Sequence, residues 1–428
     1  MKKLILMIYA ILLLSITANC SAPPLSDNKT DPGVLPGDSE IIEEKKNELE
    51  EKAAMILSKM TLEEKLGQLL IVGFPQDTKE EIIKDYIDRY KVSGFILFNR
   101  NYKDFDSLYS LVKSLKEENS VSNPLPLFIS ADEEGGTVSR LPKEGTHFPD
   151  AQLLGKAGDP KLTYKSGEVI GWELKASGIN LNFAPVLDIV SSSENKLLIK
   201  RSYGSTADMV SVHGTAFING LQSAGVIASS KHFPGHGATT VDSHGKLPVI
   251  DIDKETMQSR ELIPFQAAFS NDLDVVMVGH IAFPKLDPSG LPATMSGYFL
   301  TDVLRGGMDF KGIAISDDIE MSGYTDGKSA LEECAVASFN AGLDMFLIGH
   351  TKDIQDRVLT ALKDALAEGR ISDERLEESV LRIIKVKLKR KLSDEMEYSL
   401  EEAGNVFGSK EHKAVLEELN KAIKDKSR

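Results

Sequence analysis

Residues 226–237 read Val-Ile-Ala-Ser-Ser-Lys-His-Phe-Pro-Gly-His-Gly. The segment Val226–Ser230 is short and carries no charge, as expected of a strand buried on both faces in a parallel sheet. From Lys231 the character changes at once to a cation, two imidazoles, a proline and two glycines. Proline and glycine at that density suit neither a helix nor a central strand, so a loop is predicted. A buried strand that ends in a polar, glycine-bearing loop is the repeating part of a parallel α/β protein.

The same part recurs along the chain. Further runs of this kind are Gln68–Gly73, Val92–Phe98, Pro126–Ala131, Ile179–Asp188, Asp274–His280, Gly312–Ser316 and Leu343–Ile348, which makes eight. Amphipathic patterns fall between them at Lys79–Tyr90, Asp104–Glu118, Pro160–Ala176, Ala207–Ser223, Lys254–Ser270 and Lys328–Asn340. Thr61-Leu-Glu-Glu64 is a capping-box pattern ahead of the first run. Two more helical stretches, Asp353–Glu368 and Asp373–Lys389, follow the last run. Eight alternations predict an α/β fold, a single (β/α)8 TIM-type barrel with extra C-terminal helices. The alternative is an open doubly wound sheet. No GxGxxG or GxxxxGK loop follows the first run, which removes the usual support for nucleotide binding.

Composition narrows the function. The 428 residues are 41% apolar and 27% charged, ordinary for a globular protein and unlike a disordered or fibrous one. Lys and Arg number 50 against 65 Asp and Glu, a formal charge of −15. That balance disfavours nucleic acid as a partner, because its binders cluster cations against phosphates. Two cysteines, Cys20 and Cys334, exclude a disulfide scaffold.

The N-terminus, MKKLILMIYAILLLSITANC, has a basic start and an apolar run shorter than the ~20 residues of a membrane span. It resembles a bacterial lipoprotein signal, although Asn19 stands where such signals usually carry a small residue. The resemblance implies cleavage after residue 19 and lipidation of Cys20, hence an extracytoplasmic protein held to a membrane by a lipid anchor. Residues 20–41 hold prolines and glycines without an aromatic and are expected to form a flexible tether. The barrel is expected over 42–392 and a helical extension over 393–428, in a monomer.

Chemistry in such a barrel belongs to the loops that leave the C-terminal ends of the strands. Those loops carry Asp132-Glu-Glu-Gly-Gly136 with Arg140, then Asp188, Lys200-Arg-Ser-Tyr-Gly204, Lys231-His232, Asp242-Ser-His244, His280 and Asp317-Asp318. Any one of these has an ordinary structural explanation, as a cap, a turn residue or a strand end. Their coincidence at strand ends does not. His232 and His236 are four apart, but Pro234 and its flanking glycines break the helix a zinc-protease pair needs, so no metal and no cofactor is expected. No Gly-x-Ser-x-Gly elbow follows a strand. A glycosidase fits better: Asp317 or Asp318 as an ionised nucleophile, and His244 as proton donor with Asp242 beside it. Alternation along the strand sets Ile313, Ile315 and Asp317 on one face, which favours Asp317.

The stretches MTLEEKLGQLLIVGF, FILFNRN, DEEGG, GINLNFAPVLDI, KRSYG, KHFPGHGATTVDSH and ISDDIEM, in this order over residues about 61 to 390, resemble glycoside hydrolase family 3. Within it they are similar to the β-N-acetylglucosaminidases related to muropeptide-recycling enzymes. The resemblance implies Asp317 as nucleophile, His244 as acid/base and Asp242 as its partner. It implies that Asp132, Arg140, Arg201, Lys231 and His232 hold sugar hydroxyls, and that the substrate is an oligosaccharide with a terminal β-linked N-acetylglucosamine. Muropeptides and chito-oligosaccharides are the candidates. Glu133 stands where the family usually has Gln. If His244 is not the acid, Glu133 and Glu134 are next. The alternatives are a phosphorylase, in which phosphate replaces water, and a sugar-binding lipoprotein without activity.

Overall fold

Eight short strands close into one parallel barrel in sequential order. They are β1 Leu70–Val72, β2 Gly94–Ile96, β3 Phe128–Ala131, β4 Leu181–Asn182, β5 Ile227–Phe233, β6 Val275–Val278, β7 Ile313–Asp318 and β8 Met345–Ile348. β8 pairs with β1 through Leu70–Phe346, Ile71–Leu347 and Val72–Ile348, which leaves no sheet edge. Residues 36–190, 194–239, 246–325 and 329–426 are described in this computed structural model, with backbone alone over 36–45.

Every predicted run overlaps a strand, and β7 continues to Asp318, two residues beyond the predicted end. β1, β2, β3, β6 and β8 are buried along their whole length, which explains why their sequences carry no polar face. The helices Pro160–Ala176 and Ala207–Ser223 have the predicted bounds and cover the barrel wall. Thr61 and Glu64 form the reciprocal capping box, with Glu64 N to Thr61 Oγ1 at 3.2 Å and Thr61 N to Glu64 Oε2 at 2.7 Å. The predicted helix over 254–270 is divided: Lys254–Thr256 leads through a π-helical turn, Met257–Glu261, into Ile263–Phe269. Pro264 sits in the first turn of that last helix, where its missing N–H is tolerated.

Two boundaries need correction. Among the described residues, helical backbone runs from Pro36 to Leu57, so the segment 36–41 is helix rather than tether. The prolines and glycines of that stretch conceal the helix in the sequence. β5 continues to Phe233, three residues beyond the predicted strand end. The extension beyond residue 393 supplies the helices Leu400–Val406 and Lys410–Lys426. Residues 48–428 form one compact unit; those up to Asn47 belong to another. The signal sequence and Cys20 lie outside the described residues.

Candidate active site

The strands β5 and β7 end irregularly, and these irregularities build the site. Between β5 and β6 the register passes from Ser230–Val276 to Phe233–Val278, three residues against two. Between β7 and β8 it passes from Ile315–Met345 to Asp318–Leu347, again three against two. Consecutive residues of a regular strand face opposite sides, but a bulge turns both toward one side. Hence Lys231 and His232 both line the cavity at the C-terminal end of the barrel, and so do Asp317 and Asp318.

That cavity is about 370 Å³, near the lower end of small-molecule sites and suited to a single sugar ring. Ile96, Met277 and Leu347, from β2, β6 and β8, give it an apolar floor. Its walls are polar. Asp132 and Glu134 come from the loop after β3, and Arg201 from the long loop after β4.

Lys231 is 3% exposed and sits between two carboxylates, 2.6 Å from Asp132 Oδ1 and 2.7 Å from Glu134 Oε1. Burial works against its charge, but the two carboxylates prevail and raise its pKa. Arg201 grips Glu134 with two hydrogen bonds, Nε to Oε2 at 2.8 Å and Nη2 to Oε1 at 2.7 Å. Burial would raise the Glu134 pKa; Lys231 and Arg201 overcome it and hold the carboxyl well below the usual range. Its two cationic partners favour the ionised form of Glu134, which weighs against the expectation that it could replace His244 as proton donor. Arg201 is both a brace for Glu134 and part of the cavity wall.

His232 is oriented by Asp188, whose Oδ2 lies 2.7 Å from its Nδ1. Asp188 Oδ1 accepts the His236 backbone N–H at 2.6 Å. One buried carboxylate thus fixes both ends of the His232–His236 turn, a role that its position after β4 does not reveal. His236 also lines the cavity, and both its ring nitrogens are buried without a hydrogen-bond partner among the described residues.

Asp317 and Asp318 are neighbours with opposite electrostatics. Burial would raise the pKa of Asp317, but the imidazoles of His232 and His280, the Asp318 N–H and the Lys231 ammonium outweigh it and hold the pKa below the ordinary value. Asp318 N donates to Asp317 Oδ1 at 2.8 Å. Burial pushes Asp318 itself up to about 7, despite N–H groups of Glu320 and Gly349 at 3.1 and 3.3 Å from its Oδ1. Its other oxygen lies 3.4 Å from His350 Nε2. A Cβ on Gly349 would come within 2.5 Å of that oxygen, so this close approach requires glycine. Asp317 therefore ionises at a lower pH than its neighbour.

Arg140 lines the cavity too; its Nη1 donates to the Ser139 carbonyl at 3.2 Å, and its guanidinium carbon lies 5.8 Å from the Phe98 ring centre. Phe98 and His350, stacked with ring centres 5.0 Å apart, form part of the lining, and neither was singled out from sequence. The signal was present, since Phe98 lies two residues beyond β2 and His350 two beyond β8. Glu133, by contrast, turns away from the cavity and into its own loop, which weighs against it too as a substitute acid. Asp242 and His244 lie outside the described residues. Among the described residues, no cluster of three or more His, Cys, Asp and Glu side chains is placed to hold a metal ion.

A closed parallel barrel with paired charges and one ionised aspartate at its C-terminal mouth has the build of a glycoside-processing enzyme. Residues 61–386 match the profile of the glycosyl hydrolase family 3 N terminal domain, and the chain belongs to that family. It is 34% identical to the beta-hexosaminidase A of Pseudoalteromonas piscicida over 79% of this chain and 59% of that protein. It thus spans about three fifths of that relative. It is 31% identical to the beta-hexosaminidase of Xylella fastidiosa strain 9a5c, over 67% of this chain and 85% of the relative. Among solved structures, a family 3 beta-N-acetylglucosaminidase from Paenibacillus sp. str. FPU-7 is similar, with a TM-score of 0.80 and 37% identity. That match covers 85% of this chain and 69% of the other.

Proposed function

We propose that this chain is a retaining β-N-acetylhexosaminidase that removes a terminal β-linked N-acetylglucosamine. The observation that carries the reading is the electrostatic division of Asp317 and Asp318 at the floor of a sugar-sized cavity. A nucleophile must be ionised at the working pH, and Asp317 meets that condition. An Asp317 carboxylate oxygen attacks the anomeric carbon as the bond to the leaving oxygen breaks. His244, oriented by Asp242, gives that oxygen its proton. Water then attacks the glycosyl–Asp317 ester, His244 takes a proton from the water, and Asp317 is released.

Asp132, Glu134, Lys231 and Arg201 form a paired set of charged groups suited to hydroxyls. Each makes charge-assisted hydrogen bonds to a neutral polyol without bringing a net charge to the site. His232 and Arg140 complete the sugar contacts. The names of the hexosaminidase relatives and of the Paenibacillus neighbour support the N-acetyl sugar. Cell-wall muropeptides are the natural substrate in this reading and chito-oligosaccharides the second choice. The lipoprotein-like start supports a position outside the cytoplasm, anchored through Cys20.

The test is release of p-nitrophenol from p-nitrophenyl N-acetyl-β-glucosaminide, with and without inorganic phosphate. Equal rates and free N-acetylglucosamine as product are expected. A requirement for phosphate, with a sugar 1-phosphate as product, would make the chain a phosphorylase. No release at all would leave a binding protein.

A further inference from the structure

Glu133 sits beside the site without entering it. Its backbone is fixed on both sides by one side chain of the barrel wall: Asn182 Oδ1 accepts the Glu133 N–H at 2.9 Å, and Asn182 Nδ2 donates to the Glu133 carbonyl at 2.9 Å. From that fixed point the side chain reaches across its own loop. Oε2 accepts three hydrogen bonds, from Ser139 Oγ at 2.9 Å, Leu141 N at 3.0 Å and Arg140 N. Oε1 is buried without a partner.

We propose that Glu133 is a positioning residue, whose carboxylate clasps the far end of its loop and so presents Arg140 to the sugar. The proposal rests on the sugar-binding reading of the cavity. Its strength lies in how differently the cationic side chains are held. Lys231 and Arg201 are each fixed at the charged head by carboxylates within 2.8 Å. Arg140 forms no ion pair among the described residues, and its Nε is buried without a partner. Apart from the Phe98 ring, whose centre lies 5.8 Å from its guanidinium carbon, its placement comes from the backbone. Glu133 accepts its N–H, and the Tyr102 hydroxyl donates to its carbonyl.

Removing the carboxylate leaves two N–H groups without an acceptor, a part-buried one at Arg140 and a buried one at Leu141. A buried donor in that state is costly enough for the segment to turn toward water, and Arg140 turns with it. Glutamine presents one oxygen at the same reach, so it preserves the clasp.

The test uses the full chain with Glu133→Ala, Glu133→Gln, Arg140→Ala, Tyr102→Phe and the double variant of Glu133→Ala with Arg140→Ala. Steady-state kinetics on p-nitrophenyl N-acetyl-β-glucosaminide are read together with amide hydrogen exchange over residues 133–141. Glu133→Ala should raise KM about tenfold or more, with a smaller change in kcat. Glu133→Gln should stay within about threefold of wild type, since its amide oxygen replaces the acceptor. The double variant should be no worse than Arg140→Ala alone. Exchange at 140 and 141 should quicken in Glu133→Ala but not in Glu133→Gln. An unchanged KM in Glu133→Ala, effects that multiply in the double variant, or a Glu133→Gln as impaired as the alanine would each overturn the proposal. Should Glu133→Ala fail to fold, Tyr102→Phe decides. It removes one hydroxyl and should raise KM in the same direction, and an unaltered KM would count against the clasp. If the wild type does not cleave the glycoside, the enzyme reading fails alone, and hydrogen exchange still decides the clasp.

Discussion

At the N-terminal end of the barrel, Asp344 lies just before β8 with both carboxylate oxygens engaged. Oδ2 meets Arg305 Nη2 at 2.5 Å and the Ala314 N–H at 2.9 Å; Oδ1 meets Ser379 Oγ at 2.7 Å and Arg382 Nη1 at 3.0 Å. Lys387 enters the same end from the helix Asp373–Lys389 and donates to Gln68 Oε1 at 2.8 Å and the Ser93 carbonyl at 3.2 Å. At the C-terminal end, charges are just as buried, but they surround open space. Among the described residues, the two His236 ring nitrogens have no hydrogen-bond partner there, and Asp317, its pKa lowered by nearby imidazoles, lines a cavity of about 370 Å³. Both ends concentrate ionic groups that would be expensive to bury alone. One end uses them to close the barrel, and the other leaves hydrogen-bonding capacity facing a ligand. Buried charge therefore marks a functional site only where the pairing stops short of filling the volume.

The largest effect expected from breaking this contrast is catalytic. Asp317→Asn should lower kcat by about three orders of magnitude or more, since the covalent route is lost, while its unfolding curve stays close to wild type. Asp344→Ala should do the reverse. It leaves Arg305, Arg375 and Arg382 around an uncompensated void. Removing one partner of a buried ionic cluster costs about 3–5 kcal/mol, which denaturant titration would read, with kcat of the folded fraction unchanged. A kcat loss in Asp344→Ala without a stability loss would erase the distinction between the two ends.

Next in size is the proton donor. His244→Ala should slow a disaccharide by about 10²–10⁴-fold, the usual worth of general-acid help. The nitrophenyl glycoside, whose leaving group needs little protonation, should suffer far less. Parallel rate measurements on both substrates check this. Equal losses on the two would remove His244 from the acid role.

The barrel itself was legible because parallel strands must be apolar on both faces and short, a signal repeated eight times with helices between. Asp132, Arg140, Arg201, Lys231, His232 and Asp317 were legible because they follow strand ends, and the structure brings all of them to one cavity. The bulges in β5 and β7 were not. Alternation predicts Asp317 inward and Asp318 outward, and a register shift of one residue lets both line the cavity. Nor does sequence reveal which way a side chain turns within a loop. Glu133 and Glu134 are adjacent acids, yet one clasps backbone and the other binds two cations. The His236 nitrogens follow the same rule: nothing in KHFPGHG says that Asp188 will take its backbone and leave its ring without a partner among the described residues.

The smallest effects are in the pH dependence of stability, and they have opposite signs at the two ends. Burial pushes Glu133 up to about 7 from its ordinary 4.5. The folded state therefore holds a proton that the unfolded chain has released, and stability falls as pH rises from 4.5 to about 7. Glu133→Gln should match wild type in Tm near pH 4 and exceed it by a few degrees at pH 8. Burial moves Lys387 down to about 7 from 10.5. Here the unfolded chain holds the extra proton, so stability rises with pH between about 7 and 10.5. Lys387→Met should raise Tm most below pH 7 and lose its advantage toward pH 10. Calorimetric scans across this range check both signs, and parallel curves for either variant and wild type would refute the corresponding assignment.

The central claim is that Asp317, and not its neighbour, forms the bond to the sugar. Turnover of a 2-fluoro or 5-fluoro analogue of the N-acetylglucosaminide should trap the glycosyl-enzyme, and peptide mapping by mass spectrometry should locate it. The account predicts a single modified residue within Ser316-Asp317-Asp318, with fragmentation placing the sugar on Asp317. A sugar on Asp318, or inactivation that labels a residue outside this segment, would contradict it.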